Sequence, residues 1–265
     1  MVRPMFERAE FSMGTDYAQR LVNAALPYWE AEAEIARRFF AGDPSQDQQA
    51  LWLRAMIWKE LNPVDGYFNG LHRELSQLAQ QFDEIDRTFS RHEFGDLLTQ
   101  LSEEFQHYVA FADVLEYVLE RPVQVEDRIQ LSEEKNLQAL RKDYVESGSA
   151  LQRAAVLFTE GGGARIFREG AKLSGSELQI RIAQAMKRIY DDEKDHFLEA
   201  ARQVNDQIKS EQDAQVVIDA IIAISRQRVQ MRSEMFSHPI APAELDGFID
   251  RINDDIAAGK AIETV

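Results

Sequence analysis

Two short stretches of the sequence share one arrangement of residues that could bind metal. Glu104-Phe105-Gln106-His107 and Glu193-Lys194-Asp195-His196 are each a Glu-x-x-His motif inside a long amphipathic segment. A further glutamate precedes each motif at a similar distance on an apolar face, Glu74 before the first and Glu160 before the second. Two such copies would direct four carboxylates and two imidazoles into the middle of a four-helix bundle, as in carboxylate-bridged dinuclear metal sites. The predicted metal ligands are Glu74, Glu104, His107, Glu160, Glu193 and His196.

Hydrophobic periodicity places both motifs on the buried faces of their helices. Apolar residues recur every three or four positions around the first motif: Phe94, Leu97, Leu101, Tyr108, Phe111, Leu115 and Val118. Glu104 falls on this stripe, and His107 lies one turn further along the same face. In the second copy, Ile182, Met186 and Ile189 share a face with the motif. A buried carboxylate is costly unless it is paired or binds a metal, so the register favours metal binding.

An interpretation without metal stays open. The Glu-x-x-His spacing alone is a weak signal, because it also arises by chance. The same acidic residues could form salt bridges between the helices of an ordinary bundle, with Arg73, Arg153 and Arg165 as partners.

The organisation predicted for the chain is all-α, a ferritin-like four-helix bundle with additional N- and C-terminal helices. Helical patterns cover nearly all of residues 1–265, which are interpreted as a single domain, and the 13 glycines and 7 prolines cluster where helices should end. The core bundle is predicted at about 66–208, with a crossover at 121–147 that contains a short helix. Accessory helices are predicted at 15–61 and 212–257, as an outer layer or a pocket wall.

Composition excludes several classes of function. The formal net charge of −16 disfavours binding to nucleic acid and to membrane surfaces. The sequence has no cysteine, which excludes disulfides, iron–sulfur clusters and cysteine nucleophiles. No stretch reaches the roughly 20 apolar residues of a membrane span, and residues 1–11 carry no signal-peptide pattern. A cytoplasmic location is predicted.

The ligand pattern over about 66–208 resembles the ferritin-like di-iron carboxylate superfamily, in particular its oxidase and oxygenase members. Asp192 directly before Glu193 extends the similarity, since in those proteins an aspartate orients a metal-bound imidazole through a hydrogen bond. Glu103 occupies the equivalent place in the first motif. The resemblance implies terminal glutamates (Glu74, Glu160), bridging glutamates (Glu104, Glu193) and one imidazole per metal (His107, His196).

The resemblance implies that the protein is an O₂-activating dinuclear iron oxidase or oxygenase that acts on a small organic substrate. Its cofactor would be two iron ions, or a manganese–iron pair, since oxygen-rich ligands favour these metals. A ferredoxin or reductase could supply electrons, and a homodimer fits the same class. Two alternatives stay open: iron storage or peroxide detoxification as in ferritins and rubrerythrins, and a metal-free scaffolding subunit of an oxygenase.

Four further features are interpreted around the motifs. Tyr190 and Tyr108 could act as redox residues, although such tyrosines are more often core residues with a satisfied hydroxyl. The run Gly161–Gly163 after Glu160 indicates either an unwound turn that makes room for a ligand or close packing of a neighbouring helix. Glu30, Glu32 and Glu34 are reserve ligands, with a solvated helix face as their favoured interpretation.

Overall fold

The computed structural model describes residues 17–63, 70–158, 161–193 and 196–260, and within these ranges helices joined by turns and loops make up nearly all of the regular structure. The N-terminal segment discussed above lies outside them. The predicted all-α class is confirmed. The α-helices are α1 Tyr17–Ala41, α2 Gln46–Leu61, α3 Leu71–Gln81, α4 Arg91–Leu119, α5 Ser132–Glu146, α6 Ala150–Phe158, α7 Gly161–Gly170, α8 Glu177–Glu193, α9 His196–Gln207, α10 Glu211–Met235 and α11 Pro242–Ala257.

Short polar side chains begin several of these helices. Ser45 caps α2 in a reciprocal arrangement with Gln48, and Ser90 Oγ accepts a hydrogen bond from the backbone N–H of His92 at the start of α4. Such caps satisfy N–H groups that lack a partner inside the helix. The two helices that these caps begin, α2 and α4, pack against each other.

The largest buried cluster joins α1, α2, α4, α7, α8 and α10 around aromatic side chains such as Trp52, Phe111 and Phe236. A second cluster joins α1, α6, α9 and α10 around Trp29 and Phe158. The segments 15–61 and 212–257, predicted as accessory, therefore supply much of the core, because their bulky apolar residues are the most deeply buried. None of the described helices has the length and apolar character that crossing a membrane requires.

Helix α3 lies at the edge of the fold, unlike the predicted core helix in this position. It packs on α4 in a small separate cluster that includes Leu71 and Leu78. Two large apolar side chains in and just after α3 are mostly exposed, Leu75 at 56% and Phe82 at 63%. An amphipathic pattern predicts that one face of a helix is buried, but it does not predict whether that face packs against the main core or against a small cluster at the edge.

A buried ionic group joins α1 to α10. Glu32 is fully buried and accepts hydrogen bonds from Arg228 Nε at 2.9 Å, Arg228 Nη2 at 3.0 Å and Arg232 Nε at 3.2 Å. Neighbouring Glu30 pairs with Arg165. The predicted solvated face is therefore wrong, because three arginines from the later part of the chain cover Glu30 and Glu32. The third glutamate, Glu34, is also buried and pairs with two arginines of its own helix.

Candidate metal and ligand site

Two adjacent helices bring together an imidazole and two carboxylates. Glu60 comes from the last turn of α2, and Glu104 and His107 lie one turn apart in α4, along which α2 packs. One ligand atom from each of the three residues lies within 4.8 Å of the other two. Glu60 and His107 are buried, and Glu104 is partly buried. The group therefore offers two oxygens and one nitrogen to a common point.

The two nitrogens of His107 have different surroundings. Nε2 lies 3.2 Å from Asp192 Oδ2, within hydrogen-bond distance. Nδ1 faces three carboxylates, with oxygens of Glu193, Glu60 and Glu104 at 3.7, 3.9 and 4.0 Å. These distances exceed hydrogen-bond length. If Asp192 accepts the proton on Nε2, the Nδ1 lone pair points into the carboxylate group.

The distances from His107 Nδ1 to the two carboxylates match those between two ligands of one metal ion. Ligand oxygens and nitrogens lie about 2.1 Å from a small divalent cation, so two ligands of one ion are at most about 4.2 Å apart. The distances from His107 Nδ1 to Glu60 and Glu104 fall below this limit and above hydrogen-bond length. Glu193 lies beside the group, with Oε1 3.7 Å from the same Nδ1.

The local electrostatics favour a cation at this point. Burial raises the pKa of the Glu60 carboxyl above its usual value, and the Glu193 carboxylate raises it further, against the lowering effects of His107 and Lys59. A negative charge on Glu60 is therefore costly in the protein alone. A divalent ion among these carboxylates would offset that cost.

A small pocket of about 80 Å³ adjoins the acidic group. Its lining also includes Gly163, Phe167 and four basic residues from three helices: Lys59 of α2, Arg141 of α5, and Arg228 and Arg232 of α10. Burial lowers the pKa of Lys59 to about 8; the charges of Arg141, Arg232 and Arg228 lower it too, and Glu134 opposes them. The pocket thus combines acidic and basic groups.

The structure brings together part of the predicted ligand set. Glu104, His107 and Glu193 all line the pocket. Glu74 is buried on α3, in the small cluster at the edge of the fold, and is not among the lining residues. Glu160 lies outside the described residues, as does the side chain of His196.

The other predicted residues have separate surroundings. Asp192 directly precedes the second Glu-x-x-His motif, but its side chain contacts His107 of the first motif. Glu103 is exposed and lines a shallow surface depression that Asp192 shares. Neither Tyr108 nor Tyr190 lines the pocket; both pack at the edge of the large core cluster. The hydroxyl of Tyr108 accepts a hydrogen bond from Arg128 Nη2 at 3.4 Å.

Glu60 is the site residue that sequence reasoning missed. A signal for it exists, because Leu53, Met56 and Ile57 are buried on α2 and Glu60 follows them at helical spacing. The segment belongs to no Glu-x-x-His motif, so a search by motif passes over it.

The three consecutive glycines serve two purposes. A methyl group at Gly161 would lie 2.7 Å from Cη2 of Trp29, and one at Gly162 would lie 2.6 Å from Cδ of Glu32. These two positions therefore permit close packing of α7 on α1, as the packing interpretation predicts. Gly163 instead lines the pocket, where a methyl group would make ordinary contacts of 3.7–3.9 Å.

Comparison with known proteins identifies the fold. No protein-family model matches the chain, and no curated protein matches it. Among solved structures, it is similar to a TenA homolog from Pseudomonas syringae pv. tomato, with 15% sequence identity and a TM-score of 0.58. The match covers 88% of this chain and 100% of the TenA homolog. Similarity at this level of identity shows a shared all-helical fold, which by itself does not define an activity.

This similarity corrects the predicted membership of the ferritin-like di-iron carboxylate superfamily. The function predicted from it, an O₂-activating dinuclear iron oxidase or oxygenase, is wrong, and the storage, detoxification and scaffolding alternatives find no support either. The physical reason is that two Glu-x-x-His motifs define which helix faces are buried, but not which helices are neighbours. Here α2 supplies a carboxylate that the predicted bundle takes from α3.

Proposed function

We propose that this protein is a metal-dependent hydrolase of small molecules, with one divalent cation held by Glu60, Glu104 and His107. The observation that carries the proposal is the surroundings of His107 Nδ1. This buried nitrogen faces three carboxylates at 3.7–4.0 Å, too far for hydrogen bonds, and with Glu60 and Glu104 it forms a group of ligand atoms within 4.8 Å of one another. Two oxygens and one nitrogen suit manganese or iron among the common divalent metals.

Each neighbouring residue then has a definite task. Asp192 accepts the Nε2 proton of His107 and so holds the tautomer and the ring orientation in which Nδ1 is a donor. Glu193 lines the pocket beside the ligand group, where its carboxylate would take a proton from a water molecule in the pocket. When bound, the ion supplies Lewis acidity, which makes a substrate carbonyl or phosphoryl group more electrophilic.

The reaction that fits these roles is attack of water on an ester, amide or phosphoester. Glu193 takes a proton from the water as its oxygen bonds to the electrophilic centre. The bond to the leaving group then breaks, and the same proton passes from Glu193 to the leaving group. Water is the only co-reactant, and no electron donor is involved.

Metal titration of purified variants tests the proposal. Isothermal titration calorimetry with Mn²⁺ should detect one site in the wild-type chain. Glu60→Gln preserves the shape of the side chain but removes a charged ligand, so the affinity should fall at least about 100-fold. Glu74→Gln is the matched control, since it makes the same change at another buried glutamate, outside the pocket.

Each outcome of this titration decides between ligand sets. Loss of affinity in Glu60→Gln with retention in Glu74→Gln supports the site described here. The reverse pattern would favour the ligand set predicted from the sequence motifs. Absence of Mn²⁺, Fe²⁺ and Zn²⁺ binding by the wild-type chain would refute the proposed function.

Several sequence-based predictions stay predictions beside this proposal. They are the occupancy by two iron or manganese–iron ions, the ligand roles of Glu160 and His196, the redox roles of Tyr108 and Tyr190, the single-domain organisation over 1–265, and a homodimer. The cytoplasmic location is a prediction of the same kind. The metal titration reports on the first of these directly, because a second ion would double the measured stoichiometry.

A further inference from the structure

Two cations in the pocket have hydrogen-bond donors that the described residues do not use. Arg232 is only 1% exposed and lines the pocket. Its Nε donates to Glu32 Oε2, and its Nη1 reaches only the sulfurs of Met56 and Met235, at 3.4 and 3.5 Å. Within the described ranges Nη2 makes no hydrogen bond. Of five N–H donors, therefore, only one reaches a carboxylate, and thioether sulfur is a weak acceptor.

Lys59 is in a similar position. Its side chain is 15% exposed and lines the same pocket. The nearest carboxylate oxygen, Glu134 Oε2, lies 3.6 Å from Nζ, beyond hydrogen-bond length. In the part of the chain that the structure describes, the buried Oε2 of Glu134 has no hydrogen bond, so its contact with Lys59 Nζ is an ion pair without one. Buried charged groups are normally hydrogen-bonded, so a ligand that accepts from Lys59 would complete this site.

We infer that Lys59 and Arg232 form a subsite for the carboxylate or phosphate of the substrate, which is therefore a small organic anion. The guanidinium fork of Arg232 matches the paired oxygens of such a group, and the Lys59 ammonium adds a point charge. This inference rests on the proposed function, because it assigns the same pocket to the substrate.

The position of Lys59 also limits the size of the substrate. Lys59 and Glu60 are consecutive in α2, and both line the pocket. The anionic group would therefore lie close to the metal ligands, with the hydrolysed bond only a few atoms away from it. A molecule in which the anionic group and the hydrolysed bond are far apart could not place the first at Lys59 and the second at the metal ligands. The charges further predict that metal and anion bind cooperatively, because a divalent ion offsets the nearby carboxylates.

Calorimetry with inorganic phosphate, sulfate and acetate tests the subsite. Mn²⁺-loaded wild-type protein should bind at least one of these probes, and about tenfold more tightly than the metal-free protein does. Lys59→Met should weaken that binding about tenfold or more, with Mn²⁺ stoichiometry unchanged. Lys142→Met is the matched control, because it removes the same charge from an exposed position. Its anion affinity should equal that of the wild type.

A second variant protects the test against a folding defect. Arg232→Lys keeps the charge beside Glu32 but removes the planar fork, so it should also weaken binding of the probes. The subsite is overturned if none of the three probes binds, or if Lys59→Met and Arg232→Lys both bind like the wild type. The two proposals can fail separately. If no metal binds, the affinities of metal-free Lys59→Met and Lys142→Met for the anion probes can still be compared. A lower affinity in Lys59→Met alone would show that the subsite exists.

Discussion

Replacing Gly162 by alanine should destabilise the protein, although alanine is the better helix former. The new methyl group would lie 2.6 Å from Cδ of Glu32 and still closer to its Oε1. Glu32 is the far end of a flexible side chain, but Arg228 and Arg232 hold it with three hydrogen bonds in a fully buried position. The carboxylate cannot move away from the methyl group without giving up these bonds.

The size of the effect follows from two opposing contributions. Breaking a buried ion pair costs about 3–5 kcal/mol, and replacing glycine by alanine in a helix returns at most about 1 kcal/mol. The expected net loss is therefore about 2–4 kcal/mol. For a chain of this size that corresponds to a fall in the melting temperature of roughly 5–10 °C.

Gly163→Ala is the control, one residue further along the same helix. Its methyl group would make contacts of 3.7–3.9 Å, which are ordinary van der Waals distances. This variant should be as stable as the wild type or up to about 1 kcal/mol more stable. Urea denaturation followed by circular dichroism measures both changes. Equal stability of Gly162→Ala and Gly163→Ala would refute the argument that Glu32 is fixed in place.

Three other predictions concern neighbouring features. Gly161→Ala should also lower the melting temperature, because its methyl group would meet the rigid, buried ring of Trp29; a melting temperature equal to that of Gly163→Ala would contradict this. Asp192→Asn should weaken Mn²⁺ binding about 10–100-fold by releasing the His107 ring, while Asp191→Asn, an exposed neighbour paired with Lys187, should bind as the wild type does. Hydrogen bonds from Arg121 hold the pKa of Asp127 below its usual range, so the stability they provide is complete above about pH 4 and is lost as the pH falls. Between pH 6 and pH 3, the free energy of unfolding measured by urea denaturation should therefore fall less in Asp127→Asn than in the wild type. Equal decreases would contradict a stabilising interaction between Asp127 and Arg121.

The sequence predicted the helices well and their arrangement poorly. Stripes of apolar residues and serine caps report on single helices, and α4 and α8 formed as their periodicity indicates. Which helices become neighbours depends on contacts between distant segments, which local patterns do not encode. One such contact joins α1 to α10, between Glu32 and two arginines about 200 positions later.

The same limit explains which of the predicted site residues lie together. Glu104 and His107 were predicted because motif and register coincide within one helix. Glu60 was missed because its partners lie in α4, more than 40 positions away, and no motif marks it. The resemblance implied a contact between Asp192 and an imidazole without specifying which histidine, and local patterns could not specify it because the contact with His107 crosses between helices.

The most direct test of the central claim is a crystal grown with Mn²⁺ and measured at the manganese absorption edge. The account predicts an anomalous peak about 2.0–2.3 Å from His107 Nδ1 and from one carboxylate oxygen each of Glu60 and Glu104. A peak bound to Glu74 instead, or a map in which His107 Nδ1 faces no ion at saturating Mn²⁺, would contradict it.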